Sequence, residues 1–173
     1  AHYGDVDGLP TPDLHLSALD IAMISRDLIA KYPQVINISK IKYYRYNNIK
    51  QRSWNPALFG HPDIDGLKTG HTNAAGHCMD TTAVRNGRRL IAVVMGAPNW
   101  PSGVNDVVAL LDYGYRFTTD HTVTKAGSMV GTYSDTSLDP DKLPVTVARS
   151  LDVMIPTGAE KDLKTQVTYQ KIG

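Results

Sequence analysis

Eight consecutive residues, Asp65-Gly66-Leu67-Lys68-Thr69-Gly70-His71-Thr72, gather a cation, two hydroxyls, an imidazole and two glycines. The ammonium of Lys68 can hold a carboxylate, and the hydroxyl of Thr69 can bond the same group. Gly70 lets a peptide backbone lie close alongside as an added strand. His71 can line such a site or tune the charge near Lys68, and Thr72 ends the run. A strand lysine in isolation is an ordinary solvated side chain; the flanking residues are what point to carboxylate recognition. Lys68, Thr69, Gly70, His71 and Thr72 are therefore the candidate ligand-binding residues, and no catalytic residue is assigned.

Other chemistries fit less well. Six histidines invite a metal reading, above all His71 with His77 near Asp63, Asp65 and Asp80. No His-Glu-x-x-His spacing occurs, and His71 and His77 are expected far apart on a strand, so no metal site is assigned. Gly66-Leu67-Lys68-Thr69-Gly70 lacks the glycine run of a phosphate loop. The single cysteine, Cys78, rules out an intramolecular disulfide, leaves the redox compartment open, and is expected to pack in a strand. Residues 31–52 hold six basic side chains, four tyrosines and no acid, a composition seen on nucleic-acid surfaces. The whole chain carries 18 Lys plus Arg against 17 Asp plus Glu, so a solvated ribbon face is the better account and no nucleic-acid partner is expected.

The elements that must position these residues follow from patterning. The chain has 173 residues, 42% hydrophobic and 20% charged, enough for one ordinary domain or one domain plus part of another. No apolar run approaches the length of a membrane span, and the start lacks the basic and apolar regions of a signal peptide. This is expected of a soluble protein or a mature fragment. Gly4, Gly8, Pro10 and Pro12 mark a surface loop up to Asp20. Ser17 with Asp20 three residues on resembles a capping box, followed by Leu19, Ala22, Met23, Leu28 and Ile29 at helical spacing until Pro33. Ser25 and Arg26 lie within that helix as structural residues. Residues 34–52 predict a two-stranded ribbon turning at Asn47-Asn48, and residues 53–62 a loop. A short strand over 64–72, a longer one over 77–85, a tight Asn86-Gly87 hairpin and a strand over 88–96 come next. Leu90-Ile91-Ala92-Val93-Val94-Met95 is apolar on both faces, which predicts a central strand covered on both sides. A loop over 97–103 then leads to a helix from Val104 to Tyr115. Beyond a boundary near 118–122, short runs separated by Gly127, Gly131, Asp139-Pro140, Pro144 and Pro156-Thr157-Gly158 predict a β-rich appendage. The chain stops at Lys171-Ile172-Gly173, just after an expected strand.

Lys68-Thr69-Gly70 resembles one of three elements of the serine acyl-transfer enzymes that act on penicillin and D-alanyl peptides. DGLKTGHTNAAGHC (65–78) and NGRRLIAVVMGAPN (86–99) closely resemble the serine-type D-alanyl-D-alanine carboxypeptidases, the low-molecular-mass penicillin-binding proteins. The stretch GLPTPDLHLSALDIAMISRDLI (8–29) and the β-rich region from about 120 are similar to that family as well. The resemblance implies an α/β (α+β) fold, a β-lactamase/penicillin-binding-protein-like antiparallel sheet with covering helices. Residues 1–119 would be the later half of the penicillin-binding domain and 120–173 the start of a C-terminal β-rich domain.

It also implies a cofactor-free carboxypeptidase that trims peptidoglycan stem peptides ending in D-Ala-D-Ala and is acylated by β-lactam antibiotics. The setting would be periplasmic or otherwise extracytoplasmic, with membrane association only through a C-terminal anchor. The family's Ser-x-x-Lys nucleophile and Ser-x-Asn element are expected upstream of residue 1. Ser39-Lys40-Ile41-Lys42 and Ser53-Trp54-Asn55 repeat those letters but are read as chance. Ser39 falls in a β-patterned stretch, where residues three apart do not share a face, and a nucleophile needs a positioned base and oxyanion donors. Within the matched region, Val104 stands where the family has an arginine, and His77-Cys78-Met79-Asp80-Thr81-Thr82 is more polar than the family strand. Two other readings stay open: a β-lactamase-type hydrolase, against which the single glutamate, Glu160, counts, and a non-catalytic module that binds wall peptides or another protein.

Overall fold

A computed structural model describes residues 3, 4, 11, 14–134 and 142–168. The loop expected at Gly8, Pro10 and Pro12 and the turn at Asp139-Pro140 lie outside the described residues. So does the end of the strand expected before Lys171, and residues 163–168 form no strand. Two compact units are present, Ala1–Tyr115 and Arg116–Gly173.

In the first unit, helix α1 (Ala18–Lys31) opens on the expected capping box: the Ser17 hydroxyl accepts from the Asp20 N–H, and the Asp20 carboxylate accepts from the Ser17 N–H. The Ser17 N–H and the Ser17 hydroxyl, both donating to the Asp20 carboxylate, hold that carboxyl below its ordinary value. The inward stripe differs from the expected one. Leu19 and Met23 are exposed, and Ser25 is the residue α1 buries. The cause lies across the sheet, where Asp80 offers a carboxylate at the point the helix crosses.

Residues 34–52 hold more than a ribbon. Val35–Ser39 winds into a short helix, α2, directly after Pro33 and Gln34. The ribbon itself is confined to β1 (Tyr43–Tyr46) and β2 (Ile49–Arg52). Asn47 and Asn48 turn between them with φ of 45° and 60°, the left-handed pair a two-residue hairpin demands. Every ribbon residue is exposed, the solvated face inferred from charge balance. In the following loop, Pro56–Phe59 forms a single 3-10 turn, started by the Asn55 side chain accepting from the Ala57 N–H.

Three antiparallel strands make the sheet: β3 (Ile64–Thr72), β4 (Gly76–Arg85) and β5 (Arg88–Ala97), in the order β3-β4-β5. Asn86 (φ 51°) and Gly87 (φ 79°) form the tight hairpin. The central strand is β4, not β5 as the apolar run predicted. β5 is apolar on both faces because each face meets a helix: α1 lies over β5 and β4 on one side, while α3 (Trp100–Phe117) packs on the other. Helix α3 starts earlier than expected because Asn99 caps it, its side chain accepting from the Ser102 N–H at 2.8 Å. Pro101 sits in the first turn, where its missing N–H costs nothing. Met79, Ala83 and Ala92 from the sheet meet Val107 and Leu111 from α3, with Ala57, Leu58 and Ile64 closing the core. Val104, half-buried, packs against this cluster.

Adjacent strand residues face opposite sides, so Asp80 turns from this core toward α1. Its carboxylate accepts from the buried Ser25 hydroxyl at 2.5 Å, while Oδ1 is buried without a partner among the described residues. Desolvation pushes the Asp80 carboxyl above its ordinary value, and the Ser25 bond only partly offsets this. A carboxyl raised on folding favours the folded state when protonated, so stability falls as pH rises above the unfolded value of about 3.8. Asp80→Asn is therefore expected to stabilise at pH 7, on the order of 1 kcal/mol. That gain should vanish as urea unfolding is repeated down to about pH 4; a gain independent of pH would refute the account.

The second unit is β-rich as expected. β6 (Thr118–Thr124) pairs with β9 (Leu151–Pro156), and β7 (Met129–Ser134) pairs with β8 (Lys142–Thr146), all antiparallel. Gly131 and Pro144, expected as separators, lie inside β7 and β8. Gly131 falls at a bulge, and Pro144 is tolerated in a two-stranded pair because its nitrogen side needs no partner.

Candidate functional site

The candidate run occupies the second half of β3. Facing it across β4 are Asp80 opposite Lys68, Met79 opposite Thr69, Cys78 opposite Gly70, His77 opposite His71 and Gly76 opposite Thr72. No strand pairs with the other side of β3 among the described residues, so it is an edge strand.

A cleft of about 430 Å³ runs along that edge. Leu67, Lys68 and Thr69 all line it. Consecutive strand residues point to opposite faces, so three in a row on one cleft means that the cleft follows the backbone edge rather than either face. The opposite wall comes from α2, β1, β2 and the loop after β2, with Ile38, Tyr44 and Trp54 mainly apolar and Arg52 and Asn55 polar. Trp54 is 84% exposed. The Arg52 guanidinium lies 3.7 Å over the Phe59 ring, which meets Tyr43 edge-on.

Two contacts place β3 against this wall. The Ser39 hydroxyl donates to the Asp65 carbonyl at 2.8 Å, and a Cβ on Gly66 would come within 2.5 Å of the same oxygen. Glycine at 66 thus lets α2 dock against the strand just before Lys68. On the α1 side, Arg89 of β5 reaches across the central strand to grip both Asp65 oxygens at 2.8 Å and also meets the Thr82 hydroxyl. The Asp65 carboxylate raises the Arg89 guanidinium above its ordinary value. Asp65 is therefore committed to Arg89, and Asp63 to Arg85 at 2.6 Å. Neither contacts Lys68.

Lys68 is exposed, and its ammonium donates to the neighbouring Thr69 carbonyl. Thr69 is half-buried on the cleft wall. A Cβ on Gly70 would meet nothing within 4 Å, so packing within the chain does not require glycine there and the edge beyond Thr69 is unobstructed. His71 and Thr72 lie past the cleft lining. Thr72 accepts from the Ala75 N–H at 3.0 Å and so closes the β3–β4 turn. The His71 ring meets His77 at a centroid distance of 4.2 Å. The expectation that these histidines are far apart is thus wrong: six residues separate them in sequence, but the antiparallel turn sets them directly opposite. Cys78 is half-buried, and its Sγ donates to the Ala75 carbonyl.

Residue patterning alone did not delineate the far wall: Ile38, Tyr44 and Arg52 read as part of a solvated ribbon, which the family resemblance implies lies close to the site, and Trp54 falls in the loop after it. Ser39 also proves helical, at the end of α2, rather than in a strand. Its hydroxyl donates to backbone carbonyls of Ile36 and Asp65, and that of Ser53 accepts from the Asn55 N–H, so the strand geometry on which the chance reading rested is absent at Ser39.

The arrangement can anchor a carboxylate and pair with an extended peptide. The D-alanyl-D-alanine carboxypeptidase family profile (Peptidase_S11) matches residues 1–99. D-alanyl-D-alanine carboxypeptidase DacA of Escherichia coli (strain K12) is 32% identical over 164 residues, 94% of this chain and 41% of that protein. Penicillin binding protein 5 from Haemophilus influenzae superposes with a TM-score of 0.80 at 29% identity, covering 91% of this chain and 46% of its own. Penicillin-Binding Protein D2 from Listeria monocytogenes, in its cefotaxime-bound form, superposes with a TM-score of 0.60 at 28% identity over 66% of this chain and 47% of its own. The chain spans about two fifths of the length of the curated relatives it matches.

Proposed function

Because this chain belongs to the D-alanyl-D-alanine carboxypeptidase family, we propose that it carries the carboxylate-anchoring wall of an active site that removes the terminal D-alanine from peptidoglycan pentapeptides. Residues 1–119 supply the later half of the penicillin-binding domain, and 120–173 begin the β-rich C-terminal domain. The protein works outside the cytoplasm, held to the membrane by a C-terminal anchor; no helix among the described residues is long and apolar enough to cross a membrane.

The observation that carries this reading is the cleft along the free edge of β3, with Lys68 and Thr69 on its wall and open space at Gly70. A stem peptide lies in it as an added strand, its backbone pairing with β3. The Lys68 ammonium takes the terminal D-Ala carboxylate as a charge-assisted bond, and the Thr69 hydroxyl donates to the same group. Gly70, His71 and Thr72 continue the binding strand beyond the anchor. The nucleophilic serine and its lysine come from polypeptide outside these 173 residues. The serine oxygen attacks the penultimate D-Ala carbonyl, its proton passing to the lysine and then to the departing D-alanine amine; water hydrolyses the resulting ester. A penicillin presents a carboxylate and a lactam carbonyl to the same groups, and its ring opens to leave the serine acylated.

Intact mass after incubation with a penicillin tests this, on the 173-residue chain and on a longer polypeptide that includes the upstream region. An adduct on the longer polypeptide alone is expected. An adduct on the 173-residue chain mapped to Ser39, or none on either, would overturn the assignment.

A further inference from the structure

Among the described residues Asp80 is the only buried carboxylate, 7% exposed, and anchoring a ligand at Lys68 and Thr69 leaves it without a task. Its Oδ2 accepts from Ser25, and its Oδ1 has no partner among the same residues. The antiparallel register sets it directly opposite Lys68. Directly opposed residues share one face of a sheet with Cβ atoms about 4.5–5.5 Å apart, near enough for opposite charges to interact. Lys68 nevertheless turns its ammonium forward to the Thr69 carbonyl at the cleft edge, so the anchor has a carboxyl group behind it that it does not cover.

The other charged groups on the elements around Asp80 are committed elsewhere. On α1, Asp20 bonds to Ser17, and Asp27 holds Arg26 at 3.7 Å and Lys31 at 3.1 Å. On β5, the apolar Val93 opposes Asp80, while Arg89 is bound to Asp65 of β3 and to the Thr82 hydroxyl. Thr82 and Cys78 are its neighbours on the same face of β4, and the Cys78 thiol donates to the Ala75 carbonyl. Lys68 is the cation left beside it. We propose that Asp80 acts through Lys68, as a positioning residue that makes carboxylate anchoring depend on pH. Protonated, it leaves the whole charge of the ammonium to the ligand; ionised, it stands behind the anchor as a second anion and weakens the ligand's hold. This rests on the carboxylate-anchoring reading of the cleft. Roughly 10 Å separates Asp80 from a carboxylate held by Lys68, one strand spacing plus the lysine stem. At that range a partly buried charge favours binding to the protonated form by about 4- to 15-fold. Burial pushes the Asp80 carboxyl above its ordinary value, which lifts the change out of the acid range of an exposed aspartate.

Acylation of a longer polypeptide that includes the upstream region tests this, with a penicillin and its ester measured in parallel. The pH dependence of the serine chemistry is common to both compounds and cancels in the ratio of their rates, whereas only the penicillin presents a carboxylate. Over the range in which that carboxylate is ionised, the penicillin-to-ester ratio is expected to fall about 4- to 15-fold as pH rises. Asp80→Asn, which is isosteric and never charged, should hold the ratio at the parent's low-pH level throughout. A flat ratio in the parent, or an equal fall in Asp80→Asn, would overturn the proposal. Lys68→Ala separates this from the anchoring reading itself. A ratio that ignores Lys68→Ala would remove the anchor, while a ratio lowered by Lys68→Ala but indifferent to Asp80 would remove only the coupling.

Discussion

On the proposed function, replacing Lys68 by alanine in a longer polypeptide that includes the upstream region is expected to slow acylation by a penicillin about 10- to 100-fold, the worth of one charge-assisted hydrogen bond. Lys68 is exposed on the cleft edge and among the described residues its ammonium meets only the adjacent carbonyl, so its loss should leave the unfolding midpoint nearly unchanged. Lys68→Arg keeps the charge but changes the donor geometry, and should recover part of the rate. Comparison with a penicillin ester adds a second readout. Without a carboxylate to anchor, the ester should react at similar rates with the parent and with Lys68→Ala. A variant that discriminates against both compounds equally would place Lys68 in general upkeep of the site rather than at the ligand carboxylate.

Leu111→Ala should produce the largest loss of stability. Leu111 is 1% exposed, between α3 and the sheet face formed by Met79, Ala83 and Ala92. Truncating such a residue removes the transfer energy of its methyl groups and leaves a cavity, together about 2–5 kcal/mol. The neighbouring Leu110 is 49% exposed, so Leu110→Ala should cost well under half as much while sharing the same helical propensity change. Both tryptophans, Trp54 and Trp100, lie in the first unit, so urea unfolding followed by their emission reports that unit alone. Equal losses from the two variants would mean that α3 does not dock on this sheet face in solution.

How far these arrangements were legible in sequence depended on the range of the forces that set them. Ser17 with Asp20, Asn47-Asn48 and Asn86-Gly87 declared a helix start and two hairpins because capping and left-handed turns are decided within four residues. Strand β3 was legible for the same reason, and of the five residues offered for ligand binding Lys68 and Thr69 line a cleft while Gly70, His71 and Thr72 lie outside its lining. What failed was set by distant partners. The apolar run of β5 reported coverage on both faces, which two helices supply without the strand being central. The buried face of α1 was misplaced because Ser25 answers to Asp80, 55 residues away. The His71–His77 contact was hidden by treating the two as points along one extended chain when a turn at residues 73–75 folds the chain back. The far wall of the cleft, with Ile38 from α2, Tyr44 from β1, Arg52 from β2 and Trp54 from the loop beyond, is assembled from separate elements whose convergence no local pattern announces.

The unpaired side of β3 carries a liability for anyone handling the purified protein. A row of N–H and C=O groups able to accept a peptide backbone can accept a second polypeptide through the same bonds, and exposed edges are where native chains begin to aggregate. Among the usual deterrents, a single lysine interrupts the row, and two glycines soften it. Strand-like ligand and self-association therefore compete for one surface, and by mass action saturating ligand withdraws that surface from assembly. Shelf life and concentration limit should accordingly track occupancy of the cleft.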